Sequence, residues 1–419
     1  MNRTCLRSSV FFLLFFVSIA HAGVFELYGL GKVGLNYSVA SSGRGKASTA
    51  YADSLTANLQ NPANLAYLRK AGMEMSLNTR HNMISGTGNT NNYSGFSYGL
   101  LKFPLAGKGA LSLGITPLTS SNASYRISNA AQGYEESSYS RGNIYSANLN
   151  AAYSFFRKGQ LAIGAGAEFL LGGYTIIRDI AFENEDLTEV SIESDESFSG
   201  SQFTGGITVT PFPWLSLGAA YTRVTNSTRR EIIHYMANSE HYFYSHLDSA
   251  GISEDDVFPD QLRLGLAFTP APRYILTADW MRYRFEGLAS DFSFNPFYEG
   301  AAISSFDHFG LGFEKQGVLN EYLPYYRSLT YRGGLYFQRH YLRDPLGVPV
   351  RTYGLTLGLG LPFTEFRNRV DAAFVCEYNT GTVYATAGID PVHVNEFVYH
   401  LTVSITIAET WFNTRGKYR

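Results

Sequence analysis

Cysteine is nearly missing from this chain. It has 419 residues and two cysteines, Cys5 and Cys376, too few for a disulfide framework. Charge is scarce as well. Asp, Glu, Lys and Arg make up 16% of the residues, where a soluble domain carries about 25%. The formal net charge is −2 and no basic block occurs, which argues against a nucleic-acid partner. Beyond Ala22 no apolar run approaches the ~18 residues of a helical span, so a helical membrane protein is excluded. What is plentiful is glycine, with 41 residues, and tyrosine and phenylalanine, with 30 each. Disordered chains are poor in aromatics, so this one folds, and the class left is an exported, aromatic-rich β-protein.

Residues 1–22 read as a secretory signal peptide. Arg3 and Arg7 supply the positive start, Val10 to Ile19 the short apolar core, and Ala20-His21-Ala22 the small residues of a cleavage site. Cleavage there removes Cys5 and leaves Cys376 alone, so no internal disulfide is possible. A large exported chain without disulfides needs another source of stability, and a closed barrel in a bilayer supplies one.

Period-two alternation marks the strands. Phe397, Tyr399, Leu401, Val403, Ile405 and Ile407 fall on one face, and His400, Thr402, Ser404 and Thr406 on the other. Leu355, Leu357, Leu359 and Leu361 alternate in the same way with Thr356, Gly358 and Gly360. Strands read at about 71–83, 93–105, 109–127, 143–156, 160–182, 198–212, 214–235, 260–270, 273–288, 308–319, 328–342, 351–363, 368–382 and 396–408. Short connections, such as those at 106–108, 157–159 and 270–272, alternate with long ones near 128–142, 183–197 and 236–259. Short periplasmic turns and long outer loops characterise outer-membrane barrels. The expectation is an all-β fold: a 14-stranded antiparallel transmembrane β-barrel over 71–408, followed by a basic periplasmic tail at 409–419. The connection near 320–327 is too long for a periplasmic turn and has no account in the sequence. Trp214, Trp280, Tyr283, Phe363, Trp411 and Phe412 are expected to form interfacial girdles.

Residues 23–70 have a different character, Gly-rich and then weakly helical, and are expected to fold into the barrel lumen as an N-terminal hatch. Gly43 to Thr49 imitates a phosphate loop but fails it, because Ala47 stands where Ser or Thr must follow the lysine. The run from Ala52 to Ala66, which contains Asn61-Pro62-Ala63, resembles the hatch of FadL-type long-chain fatty-acid transporters. Pro213-Trp214-Leu215-Ser216-Leu217-Gly218 and Phe258-Pro259-Asp260-Gln261-Leu262 resemble later strands of that family. The Trp411-Phe412 tail resembles a subgroup related to the PorV component of type IX secretion.

The resemblance implies a site at the bacterial outer membrane, among lipid and lipopolysaccharide. It implies hydrophobic cargo, such as long-chain fatty acids, taken into an apolar pocket and released through a lateral opening in the barrel wall. Pro117, inside the third strand with Gly114, cannot donate a ladder hydrogen bond. It marks either that lateral gate or an ordinary bulge or strand end. Asn61, Pro62 and Ala63 are expected to plug the gap near Gly114 and Pro117. Ile232, Ile233, Tyr242, Phe243 and Tyr244 are a candidate outer capture loop. The alternative from another class is a PorV-like component that docks exported proteins and has secretion-system partners.

Glu168, Arg263, Asp279, Arg332, Asp371, Glu377 and His400 are expected to point inward, either as lumen polarity wetted by water, the reading favoured here, or as anchors for the hatch or a carboxylate clamp. The acidic stretch 183–196 and the histidine-containing stretch near 234–256 lack any metal-ligand spacing, so no metal or cofactor is expected and both read as solvated loops. No nucleophile elbow occurs, and no enzymatic activity is expected.

Overall fold

The computed structural model describes Phe25 and residues 30–409, apart from residue 36 and the stretches 85–89, 106–107, 130–132, 157–159, 185–188, 240–241, 247–251, 289–302, 321, 344–346, 364–367 and 384–391. Residues 1–22, read above as a leader, and residues 410–419, with Trp411 and Phe412, lie outside the described residues.

Fourteen long strands follow one another: β1 Ala71–Ile84, β2 Thr90–Leu105, β3 Gly109–Ser120 (resumed as Ala123–Asn129), β4 Tyr134–Phe155, β5 Leu161–Phe182, β6 Glu189–Phe212, β7 Leu215–Ser239, β8 Asp260–Ala271, β9 Tyr274–Arg284, β10 Phe306–Lys315, β11 Thr330–Arg343, β12 Pro349–Phe363, β13 Asn368–Val383 and β14 Val392–Glu409. Each pairs antiparallel with its sequence neighbour, and β14 closes on β1 from Glu396↔Ile84 to Glu409↔Ala71. Closure leaves no free edge between the first and last strand.

The alternation resolves in a direction that excludes a water-soluble sandwich. On β12, Leu355 is 52% exposed and Thr356 is fully covered. On β14, Leu401, Val403, Ile405 and Ile407 are exposed, whereas Thr402, Ser404 and Thr406 are buried. Glu74, Arg263, Arg332, Asp371 and Glu377 are buried inside. Apolar outside and charged inside inverts the usual rule and suits a wall facing lipid.

β6 has 24 residues and β7 has 25, whereas a membrane crossing takes about 9–11. Their far halves therefore stand clear of the bilayer. This corrects the expected loops. Residues 189–197 belong to β6, and Glu196 lies 2.7 Å from Arg229 of β7 instead of facing solvent. Residues 236–239 belong to β7, and the strands Tyr242–His246 and Ile252–Asp255 pair back onto it. Tyr283 is also corrected: it is buried in the lumen and donates to Gly34 O at 3.2 Å. Trp214 keeps its expected place at a short turn, stacked on Phe212 at 5.0 Å.

Candidate functional site: an interrupted seam and an inner segment

The β2–β3 ladder runs from Leu105↔Gly109 up to Gly99↔Ile115 and stops. Above it, Thr90 to Phe96 pair with β1, and Thr116 to Ser120 pair with β4. Among the described residues no rung joins β2 to β3 beyond Gly99. Pro117 sits two residues past the last rung, and the β3–β4 register shifts between Pro117 and Thr119. Gly114 lies one rung below the break, opposite Leu100, where a Cβ would meet the Leu100 side chain at 2.3 Å.

A further stretch of the inner segment runs along the upper part of β3. Lys32 and Val33 pair antiparallel with Ser120 and Thr119, and Gly34 N donates to Leu118 O at 2.7 Å. A Cβ on Gly34 would come within 2.7 Å of the Pro117 and Leu118 carbonyl oxygens, so only glycine lets the backbone approach this closely. Behind the break lies a cavity of about 100 Å³ lined by Leu35, Leu59, Arg80, Phe96, Tyr98 and Pro117, among others.

Asn61, Pro62 and Ala63 dock on the wall beside the break. Asn61 caps the short helix Pro62–Tyr67, its Oδ1 accepting from Ala63 N at 3.1 Å. Its Nδ2 donates to Thr49 O at 2.9 Å, and to Ile207 O and Thr208 Oγ1 at 3.1 Å. A Cβ on Gly164 would meet Ala63 N at 2.4 Å, and one on Gly206 would meet Asn61 Oδ1 at 2.2 Å. The Asn-Pro-Ala turn therefore docks on β5 and β6, where two glycines clear the wall. Pro62 of the same turn also lines a cavity with Leu59 and Thr116, next to Pro117, while residues 32–34 run along Leu118 to Ser120.

The inner segment is held by charge. Arg44 pairs with Glu314, and Arg332 bridges Glu314 and Asp371 at 2.7 Å each. Arg369 joins Asp371 at 2.7 Å to Asp53 at 2.6 Å. Lys46 and Lys32 flank Glu377 at 3.0 and 2.6 Å, with His400 at 3.0 Å on the same carboxylate. Asp279 Oδ2 accepts from Ser48 N, Thr49 N and Thr49 Oγ1, each at 2.7 Å. Arg263 donates to Gln60 O at 3.3 Å. Of the seven inward residues, six thus meet the segment or the ion-pair network that holds it, contrary to the water-wetted reading. Glu168 is the exception, held by Ser146, Gln202 and Thr204 of the wall. Burial alone would raise the Asp53 carboxyl, but the Arg369 guanidinium outweighs it and holds the group well below the usual carboxylate range. Burial pulls Lys46 down while Glu377 pulls it further up, so the ammonium stays charged.

Sequence reasoning missed Arg44, Lys46, Lys32 and Glu314. Arg44 and Lys46 stood out as cations in a Gly-rich run, but nothing local announces a partner hundreds of residues away. Toward the long-loop end, Phe25, Leu30 and Leu35 pack with Phe258, Phe285 and Tyr341 in one apolar cluster, and Leu30 N donates to Tyr341 Oη at 2.7 Å. The segment's own side chains thus sit where an apolar pocket was expected. In the candidate capture loop, Ile232 and Ile233 lie on β7 opposite Asp195 and Ser194, with Ile232 exposed and Ile233 half-buried. The backbone of Tyr242, Phe243 and Tyr244 extends the sheet against Ser239, Asn238 and Ala237. Their side chains lie outside the described residues.

No curated protein matches the sequence. The fold is similar to that of a Pseudomonas aeruginosa FadL homologue, with a TM-score of 0.63 at 14% identity over 89% of this chain and 99% of that one. It is also similar to the toluene transporter TbuX of Ralstonia pickettii, with a TM-score of 0.56 at 15% identity over 92% and 99% of the two chains. The toluene transporter TodX of Pseudomonas putida gives 0.57 at 15% identity over 92% and 99%. At such identities the likeness carries the barrel architecture alone. The sequence itself matches one family along residues 3–418, nearly its whole length, and the chain belongs to the BamG family.

Proposed function

We propose that this chain is an outer-membrane protein that passes hydrophobic small molecules through the interrupted β2–β3 seam, with residues 23–70 working as a hatch. The observation that carries the reading is the ladder's end at Gly99↔Ile115 with a cavity directly behind it. A long apolar molecule gains nothing from a water-filled pore, and a sideways exit returns it to lipid without crossing the polar lumen. The similar folds of the toluene transporters TbuX and TodX support this reading by analogy. Long-chain fatty acids are the first cargo to try. Movement of Lys32 to Leu35 away from Thr119 and Ser120 would widen the seam, and the Asn-Pro-Ala turn would serve as the fixed footing on β5 and β6.

Pro117→Val tests this. Valine supplies the missing N–H and should extend the ladder, cutting uptake of a labelled long-chain fatty acid severalfold while the barrel stays folded. Unchanged uptake would remove the seam as the route.

A second reading, a barrel that docks exported proteins, is favoured by the density of ion pairs on the inner segment. A segment anchored through Arg44, Lys46, Asp53 and Asp279 is costly to move, and the tall β6–β7 wall offers a protein-sized face. Exchangeable lipid extracted with the purified barrel favours transport. A barrel that carries none and is recovered with protein partners favours docking.

A further inference from the structure

The connection between β10 and β11 is the one short-turn link that the strand pattern left unexplained, and it is not a loose loop. Gln316 N donates to Arg273 O at 2.8 Å and Val318 N to Arg327 O at 2.7 Å. A turn of 3₁₀ helix, Tyr325–Arg327, is closed by Ser328 N on Tyr325 O at 2.9 Å. What this ordered turn presents is apolar. Leu319 is 61% exposed, Tyr322 95%, Tyr325 54% and Tyr326 59%. Four large apolar or aromatic side chains uncovered on one compact turn mark a contact surface.

Its position identifies the occupant. Tyr331 stands on the lipid-facing side of β11, in line with the exposed Leu335, and its hydroxyl donates to Tyr326 O at 3.2 Å. Tyr325 donates to Pro362 O at the end of β12 at 3.1 Å. The turn is thus tied to the lower ends of two strands whose outer faces carry Leu335, Leu355 and Leu357 toward lipid. At the same rim, on the adjacent β9 and β10, the rings of Tyr274 and Phe313 lie 6.3 Å apart. The surface is therefore continuous with the lipid-facing band. Tyrosine, with an apolar ring and a polar tip, suits the headgroup level of a bilayer.

We propose that this turn is a membrane foot: Leu319, Tyr322, Tyr325 and Tyr326 lie in the headgroup region of the inner leaflet and fix the depth of the barrel. The inference rests on the barrel crossing a membrane, not on what it transports.

The test uses Tyr326→Cys in a Cys376→Ser background, with the full barrel in liposomes and an environment-sensitive dye on the new thiol. Leu319→Cys serves as a second site, Leu335→Cys as the mid-bilayer control, and heat-modified gel mobility confirms folding. Lipids brominated near the headgroup should quench the dye at both sites at least twofold more strongly than aqueous iodide does. Quenching by iodide with no response to brominated lipid would overturn the foot. So would a dye shielded in native outer-membrane fragments but open to iodide in pure lipid, which would give the turn to a protein partner.

Discussion

Lys46 Nζ lies 3.0 Å from Glu377 Oε1, a pair separated by 331 residues in sequence and closed to solvent on both sides. Lys32 takes the other carboxylate oxygen at 2.6 Å, so one glutamate of β13 holds two cations of the inner segment. Removing one partner of a buried ion pair costs about 3–5 kcal/mol, because the charge left behind has no replacement. Glu377→Gln should accordingly loosen the segment while the strand ladder persists. The measurement is trypsin cleavage at Arg44 and Lys46 of the folded barrel, expected to speed up by well over tenfold. Unchanged protection would show that Glu377 does not hold the segment.

Gly206 and Gly164 leave space for the Asn-Pro-Ala backbone. Gly206→Leu puts a side chain where Asn61 Oδ1 lies 2.2 Å from the Cβ position, so the turn must leave the wall. The expected result is a folded barrel with an exposed 58–68 region, read by hydrogen exchange at Ala63 to Ala66. A variant with wild-type protection there would place the footing elsewhere.

The Asp53–Arg369 pair predicts a particular pH response. The folded carboxyl is depressed, so its contribution is complete above the ordinary aspartate value, about 4, and is lost as pH falls toward the lower folded value. The stability gap between the wild type and Asp53→Asn should be constant from pH 7 to 5 and shrink below about 4. Urea unfolding midpoints across that range measure it. A gap that closed between pH 7 and 5 would contradict the assignment.

At the seam, Gly34→Val brings a side chain against the carbonyl oxygens of Pro117 and Leu118. It should displace Lys32 and Val33 from Ser120 and Thr119 and widen the opening. A cysteine at Thr119 should then react with a membrane-impermeant maleimide several times faster than in the Gly34 chain. Equal rates would mean that residues 32–34 do not close the seam.

The strand ladder was legible in the sequence because a wall between lipid and a polar lumen imposes period two. Leu355 and Thr356 obey it without exception. A disruption near Pro117 was legible for a covalent reason, the missing N–H, and the β2–β3 ladder ends two residues before it, at Ile115. The docking of Asn61 to Ala63 on β5 and β6 was not legible, since it depends on two wall glycines a hundred or more residues away. Glu196 and Arg229 were hidden for a related reason: an acidic stretch reads the same whether it is solvated or paired across two strands. Tyr283 read as an interfacial aromatic because ring chemistry does not show which face of a strand it occupies. Only its register, two rungs from that of Arg263 and so on the same face, turns it inward.

The proposed function requires that hydrophobic molecules occupy the seam between β2 and β3. Its most direct test is a photoreactive long-chain fatty acid, crosslinked to the purified barrel and mapped by mass spectrometry. Adducts are expected at Leu59, Phe96, Tyr98 and the stretch from Thr116 to Leu118, reduced by unlabelled competitor. Adducts confined to the outer lipid-facing band and indifferent to competitor would contradict it.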